Sequence, residues 1–150
     1  MFTSILDQPF VDLYQFSYPK FGPTWIVQVK DNNKQQPSHS HLKVLIYNNL
    51  DGVDGKLYRG EVILALRLMA AQLRRLRFIK HLVAPVLLFS FMGPQHARII
   101  EAFFTGTTLV LRPSRLYDFR EKDQAAFRHF AQWYFGKPIG DTMALPESSD

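Results

Sequence analysis

The chain has 150 residues and carries a formal charge of +5. That length is one domain's worth, and 47% apolar with 14% aromatic residues is enough for a real core. Cysteine is absent. This excludes disulfides, thiol chemistry and Cys-ligated zinc.

Residues 1–23 hold Phe2, Phe10, Tyr14, Phe16, Tyr18 and Phe21, punctuated by Pro9, Pro19 and Pro23. The prolines break any continuous helix, so this stretch reads as an aromatic arm ahead of a core domain at 24–138. It has no basic n-region, and Asp7, Pro9 and Asp12 interrupt its apolar residues, so a secretory signal is not expected.

Thr24–Lys30 alternates as a strand, with Trp25, Val27 and Val29 on one face and Thr24, Ile26, Gln28 and Lys30 on the other. A polar loop follows. His41–Asn48 is a second strand, rich in β-branched residues. Asp51-Gly52 and Asp54-Gly55 mark a turn.

The next segment predicts a long amphipathic helix. It begins between Leu57 and Glu61 and ends between Phe78 and Lys80, with Leu66, Met69, Leu73 and Leu76 as its buried stripe. Arg67, Arg74, Arg75, Arg77 and Lys80 stand against Glu61 alone, so residues 61–82 hold +4 of the chain's +5. Val83–Met92 is an unbroken apolar run, the pattern of a strand covered on both faces, and too short to span a membrane. Gly93-Pro94 ends it. His96–Phe104 and Thr107–Arg112 predict a hairpin hinged at Thr105-Gly106.

A second helix is expected from Phe119 or Glu121 to Phe135. Asp118 and Glu121 form its capping box, and Phe127, Phe130, Ala131 and Tyr134 form its apolar face. Residues 139–150 read as a loose tail. The expected architecture is a single α+β domain, β-β-α-β-β-β-α, with a mixed or antiparallel sheet under a basic helix.

The basic helix is the strongest binding signal. Arg67, Arg74, Arg75, Arg77 and Lys80 are the candidate phosphate contacts, and Lys34, Lys43, Arg98, Arg112 and Arg115 are possible extensions. A solubilising helix face is the competing reading. His39 and His41 lie too far from other ligand types to complete a zinc set, and no metal is expected there. His81 and His129 read as helix-surface residues. No glycine-rich phosphate loop occurs.

The phrases APVLLFSFMGPQHARIIEAFFTG, SRLYDF and WYFGKPIGDT resemble small orphan proteins of filamentous fungi. That resemblance implies no activity. The element order also resembles degenerate PD-(D/E)XK nuclease-like domains, where a strand Glu-x-Lys and a preceding acid bind magnesium and assist the attacking water. The counterpart here is Gln28-Val29-Lys30, with Asp12 as the preceding acid. This resemblance implies a Mg2+ cofactor and contact with nucleic acid. A weaker likeness to the small lobe of protein kinases would pair Lys43 with Glu61.

The leading expectation is a non-enzymatic interaction module, intracellular in cytoplasm or nucleus. Its aromatic residues would meet a protein partner or a second copy, and no membrane or cofactor is expected. One alternative is the nuclease-like protein, with Gln28, Lys30 and His96 as weak catalytic candidates. Another is a small-molecule enzyme or binder with an aromatic-lined pocket and His96, Tyr117 and Asp118 as its polar groups.

Overall fold

The computed structural model describes residues 21–30 and 35–146. They form one α+β domain, in which a mixed sheet carries a helix on each face. The elements are β1 (Phe21–Gln28), β2 (Leu42–Asp51), α1 (Arg59–Leu73), a 3-10 turn (Leu76–Phe78), β3 (Val86–Gly93), β4 (His96–Phe104), β5 (Leu109–Pro113), β6 (Tyr117–Asp118) and α2 (Gln124–Phe135). The sheet order is β1-β2-β3-β4-β5, and β6 pairs with the start of β4. β2 and β3 are parallel because α1 crosses over between them, while the other pairs are antiparallel. The expected class holds, with β6 as an extra strand.

Alternation along the strands sorts side chains between two cores. On the α1 side, Leu42, Val44 and Ile46 of β2 meet Val86 and Leu88 of β3, Ile100 and Ala102 of β4, and Leu64, Ala65, Leu68 and Met69 of α1. On the other side, rings of the second core interlock. Phe89 lies 5.9 Å from Phe130 and 5.8 Å from Tyr134, while Tyr117 meets Phe130 edge-on at 5.1 Å. Of the expected strand Val83–Met92, only Val86 onward is β3, and its α2-side face is only partly covered, since Leu87 is half-buried and Phe91 is exposed.

The helix departs from expectation. It ends at Leu73, and Arg75 is already extended (ψ 132°). Its buried face is Glu61, Leu64, Ala65, Leu68, Met69 and Gln72; of the expected stripe, only Met69 belongs to it. Leu66 is exposed and Leu76 is 85% exposed. The stripe was misplaced because α1 is apolar on most sides and its buried face includes two polar residues. The early end has a packing cause. Continuing the 3.6-residue period would bury positions 75, 76 and 79. The break at Arg74–Arg75 instead turns Phe78 into the core at 2% exposure.

Glu61 and Arg98 occupy the α1-side core at 1% exposure each. Glu61 Oε1 accepts from Arg98 Nε (2.9 Å) and from the Ser90 hydroxyl (2.6 Å). Its Oε2 accepts from an Arg98 terminal nitrogen (2.6 Å) and from the Tyr58 amide (2.8 Å), which also ties off the helix N-terminus. Asn48 Nδ2 donates onward to Ser90 Oγ at 3.1 Å. The kinase-like pairing of Lys43 with Glu61 is thus not formed, since Lys43 points to the opposite face of the sheet. Arg98, buried in this network, is not part of any surface patch.

Two further boundaries move. Asp123, not Asp118, caps α2, accepting from the Ala126 amide at 2.9 Å. Asp118 instead sits in β6 opposite His96. The β4–β5 connection is a turn over Thr105–Thr108, closed by Thr105 N–H to Thr108 C=O at 3.0 Å. This four-residue turn shifts the register by two from a hinge at Thr105-Gly106, and it places Arg112 opposite Glu101. His81 also departs from expectation. It lies outside α1 and is 6% exposed.

Candidate functional site

α2 covers only part of its sheet face, over Phe89 and Phe91. Beyond its C-terminus the chain runs through Gly136–Thr142 and leaves a cleft of about 780 Å³ against the sheet. A single cross-strand row crosses the cleft floor. Val27 of β1 pairs with Lys43 of β2, Lys43 with Leu87 of β3, Leu87 with Glu101 of β4, and Glu101 with Arg112 of β5. Each projects to the α2 side because its sequence neighbours Ile26, Leu42, Val86, Ile100 and Leu111 pack on the α1 side. Trp133, Pro138 and Ile139 form the far wall.

The charges on the floor have different partners. Lys43 Nζ donates to the carbonyls of Tyr134 and Gly136, at the C-terminal end of α2. Burial holds its ammonium below the ordinary lysine range. Glu101 and Arg112 face each other at 3.7 Å, beyond hydrogen-bond range. The Arg112 guanidinium also lies 4.9 Å over the Phe103 ring. Both side chains remain about half exposed.

The cleft's other wall is pinned at Thr142. Its carbonyl accepts from the Leu82 and Val83 amides (2.9 and 3.3 Å), and its hydroxyl meets His81 Nδ1 at 2.6 Å. His81 Nε2 donates to the Pro37 carbonyl at 2.8 Å, which makes Nδ1 the acceptor from Thr142. The 139–146 part of the expected tail is therefore fixed at a residue 2% exposed.

His41 lines the cleft beside this anchor, its ring 5.6 Å from that of His39. Among the described residues its buried Nδ1 has no hydrogen-bond partner. Burial, then the neighbouring His39, pushes its pKa down to about 4, with His81 adding and the Ile139 backbone opposing. A histidine whose folded pKa lies below its unfolded value stabilises the fold above pH 6.5, and that contribution is lost as pH falls through about 4. The expected result is a urea midpoint that drops between pH 7 and pH 4.5. The drop should be smaller in His41→Gln; an equal drop in both proteins would show that His41 does not contribute.

The sequence candidates are scattered rather than gathered. Gln28 Oε1 accepts from Arg77, and Lys30 is exposed just past the end of β1. Asp12 and Lys34 lie outside the described residues. Arg67 is exposed on α1 and Arg74 is its C-cap, but Arg75, Arg77 and Lys80 lie beyond the helix, so no single basic helix face exists. Lys80 reaches Gln36 at 3.4 Å. Burial, with Arg77 nearby, lowers the Arg75 pKa.

His96, Tyr117 and Asp118 do adjoin, on β4 and β6. His96 Nε2 is 3.6 Å from Asp118 Oδ2, but Asp118 gives both oxygens to Arg120 at 2.5–3.0 Å. Those bonds hold its carboxyl well below the usual range. Tyr117 bonds His129, whose other nitrogen accepts from Trp133 Nε1 at 2.7 Å. His129 is therefore a bridge between ring systems rather than a helix-surface residue. None of these three lines the cleft.

Among the described residues no three His, Asp or Glu side chains form a metal-binding group, and no helix is long and apolar enough to cross a membrane. No protein-family description, curated protein or solved structure matches the chain.

Proposed function

We propose that this protein is a non-enzymatic binding module whose cleft receives a largely apolar ligand. The observation that carries the reading is the half-covered sheet face. An opening of about 780 Å³ with apolar walls and a few fixed polar groups lies within the roughly 300–1,000 Å³ typical of small-molecule sites. Three ionisable groups outside the cleft are engaged by other partners. Glu61 is held by Arg98, His81 by Thr142 and Pro37, and Asp118 by Arg120.

The test is titration with a neutral apolar fluorophore, N-phenyl-1-naphthylamine, followed by its own emission. Saturable binding is expected in the parent protein and its loss in Leu87→Arg, which plants a charge mid-floor. Leu87 is only half-buried, so the variant keeps its far-ultraviolet circular dichroism. An unsaturable response ends the proposal.

A second reading, a protein partner or a second copy, is favoured by the rim. Phe135 is 79% and Ile139 86% exposed. Sedimentation velocity addresses it, and a concentration-independent monomer would exclude self-association. The nuclease-like alternative has less support, because Gln28 is bonded to Arg77. A magnesium- or manganese-dependent cleavage assay decides it; cleavage unchanged in Lys30→Ala would remove the proposed site.

A further inference from the structure

Resting on the reading of the cleft as a ligand site, we propose that its ligand is a zwitterionic amphiphile, with paired opposite charges at the head of an apolar chain. The argument starts from the Glu101–Arg112 pair. The two groups stand opposite each other on neighbouring strands, on the cleft floor, and close to Phe103. At 3.7 Å they attract without sharing a hydrogen bond, and each keeps about half its side-chain surface open to solvent. Arg112 thus presents a planar fork of donors whose centre lies 4.9 Å over an aromatic ring. Glu101 presents carboxylate oxygens with no donor of their own among the described residues.

Lys43, on the same row, does not join them. Its ammonium is taken by the α2 carbonyls, and Leu87 stands between it and Glu101.

Three ligand classes can be compared on charge. An anionic amphiphile binds Arg112 but brings a like charge to within a few ångströms of Glu101. A cationic one binds Glu101 and meets Arg112 in the same way. Like-charge juxtaposition in a partly desolvated site is costly. A zwitterion satisfies both groups at once, its anion on Arg112 and its cation on Glu101. The volume argues for more than a head group. A space of about 780 Å³ is far up the range of ligand sites, and Leu87, Val27 and Ile139 offer the apolar bed for a chain.

The experiment compares dodecyl ligands that differ only in the head, each below its micelle concentration, by isothermal titration calorimetry. These are a dodecyl sulfobetaine, laurate, dodecyltrimethylammonium and dodecyl maltoside. L-phenylalanine serves as a zwitterion without a chain. The parent protein is expected to bind the sulfobetaine about tenfold tighter than laurate or the trimethylammonium compound. Glu101→Gln should move the preference to laurate, and Arg112→Gln should move it to the trimethylammonium compound. A pair this exposed contributes little to folding, so both variants remain folded.

Equal affinities for all heads in the parent protein, or an order unchanged in both variants, overturn the proposal while leaving an apolar cleft that binds chains. L-phenylalanine binding as tightly as the sulfobetaine overturns the chain requirement. No binding by any dodecyl ligand removes the cleft reading as well.

Discussion

Glu61→Ala is expected to lower the folding free energy by about 3–5 kcal/mol, because it leaves the Arg98 guanidinium buried and unpaired. Arg98 is 1% exposed and gives two of its nitrogens to this one carboxylate. Ser90 loses its acceptor as well, and the Tyr58 amide loses its partner at the start of α1. Since small domains are stable by only about 5–15 kcal/mol, such a loss brings unfolding close to ambient conditions. Urea denaturation at pH 7 measures it. The double substitution Glu61→Leu with Arg98→Met should restore stability to near the parent value, since removing both charges removes the desolvation cost with them. A single variant within about 1 kcal/mol of the parent would show that water reaches the pair, contrary to its burial.

Leu88→Ala is expected to cost about 2–5 kcal/mol, while Leu87→Ala, one residue earlier, should cost roughly 1 kcal/mol or less. Leu88 is fully enclosed between α1 and the sheet. Leu87 faces the other way, onto the open floor of the cleft. The pair of substitutions compares the two faces of one strand by chemical denaturation. Similar losses at both positions would mean that the α2 side is as closed as the α1 side, and the cleft would then have no open floor.

The strands and the α+β class were readable because their signals are local. Alternation in TWIVQVK, the β-branched LKVLIY and the apolar run to Met92 each set their own conformation. The end of α1 was not readable, because it goes with the burial of Phe78, a position that the helical period of α1 does not mark as buried. The extra strand β6 escaped for a similar reason. Its two residues exist as a strand only through pairing with His96 and Ala97.

The candidate site was legible only in parts. Lys43 and Arg112 were visible as charges that could extend the basic patch, while Glu101 carried no assigned role. Their alignment needed the β4–β5 register, which a four-residue turn sets and no single residue announces. The aromatic surplus was informative in kind but not in place. It builds a ring-rich second core whose incompleteness leaves the cleft. The basic stretch does not stay on one helix, and within it Arg77 joins Gln28 and lies 4.6 Å over the Phe78 ring.

The Lys43 contact with α2 has an electrostatic consequence for whatever enters the cleft. A helix ends with a fractional negative charge on its last carbonyls. Here that end overlooks the binding space, where it would repel an anionic group and draw in a cation. The Lys43 ammonium, bonded to the carbonyls of Tyr134 and Gly136, neutralises that pole from the sheet beneath. The Glu101–Arg112 pair then adds a dipole across the floor, a field with direction but no net charge of its own.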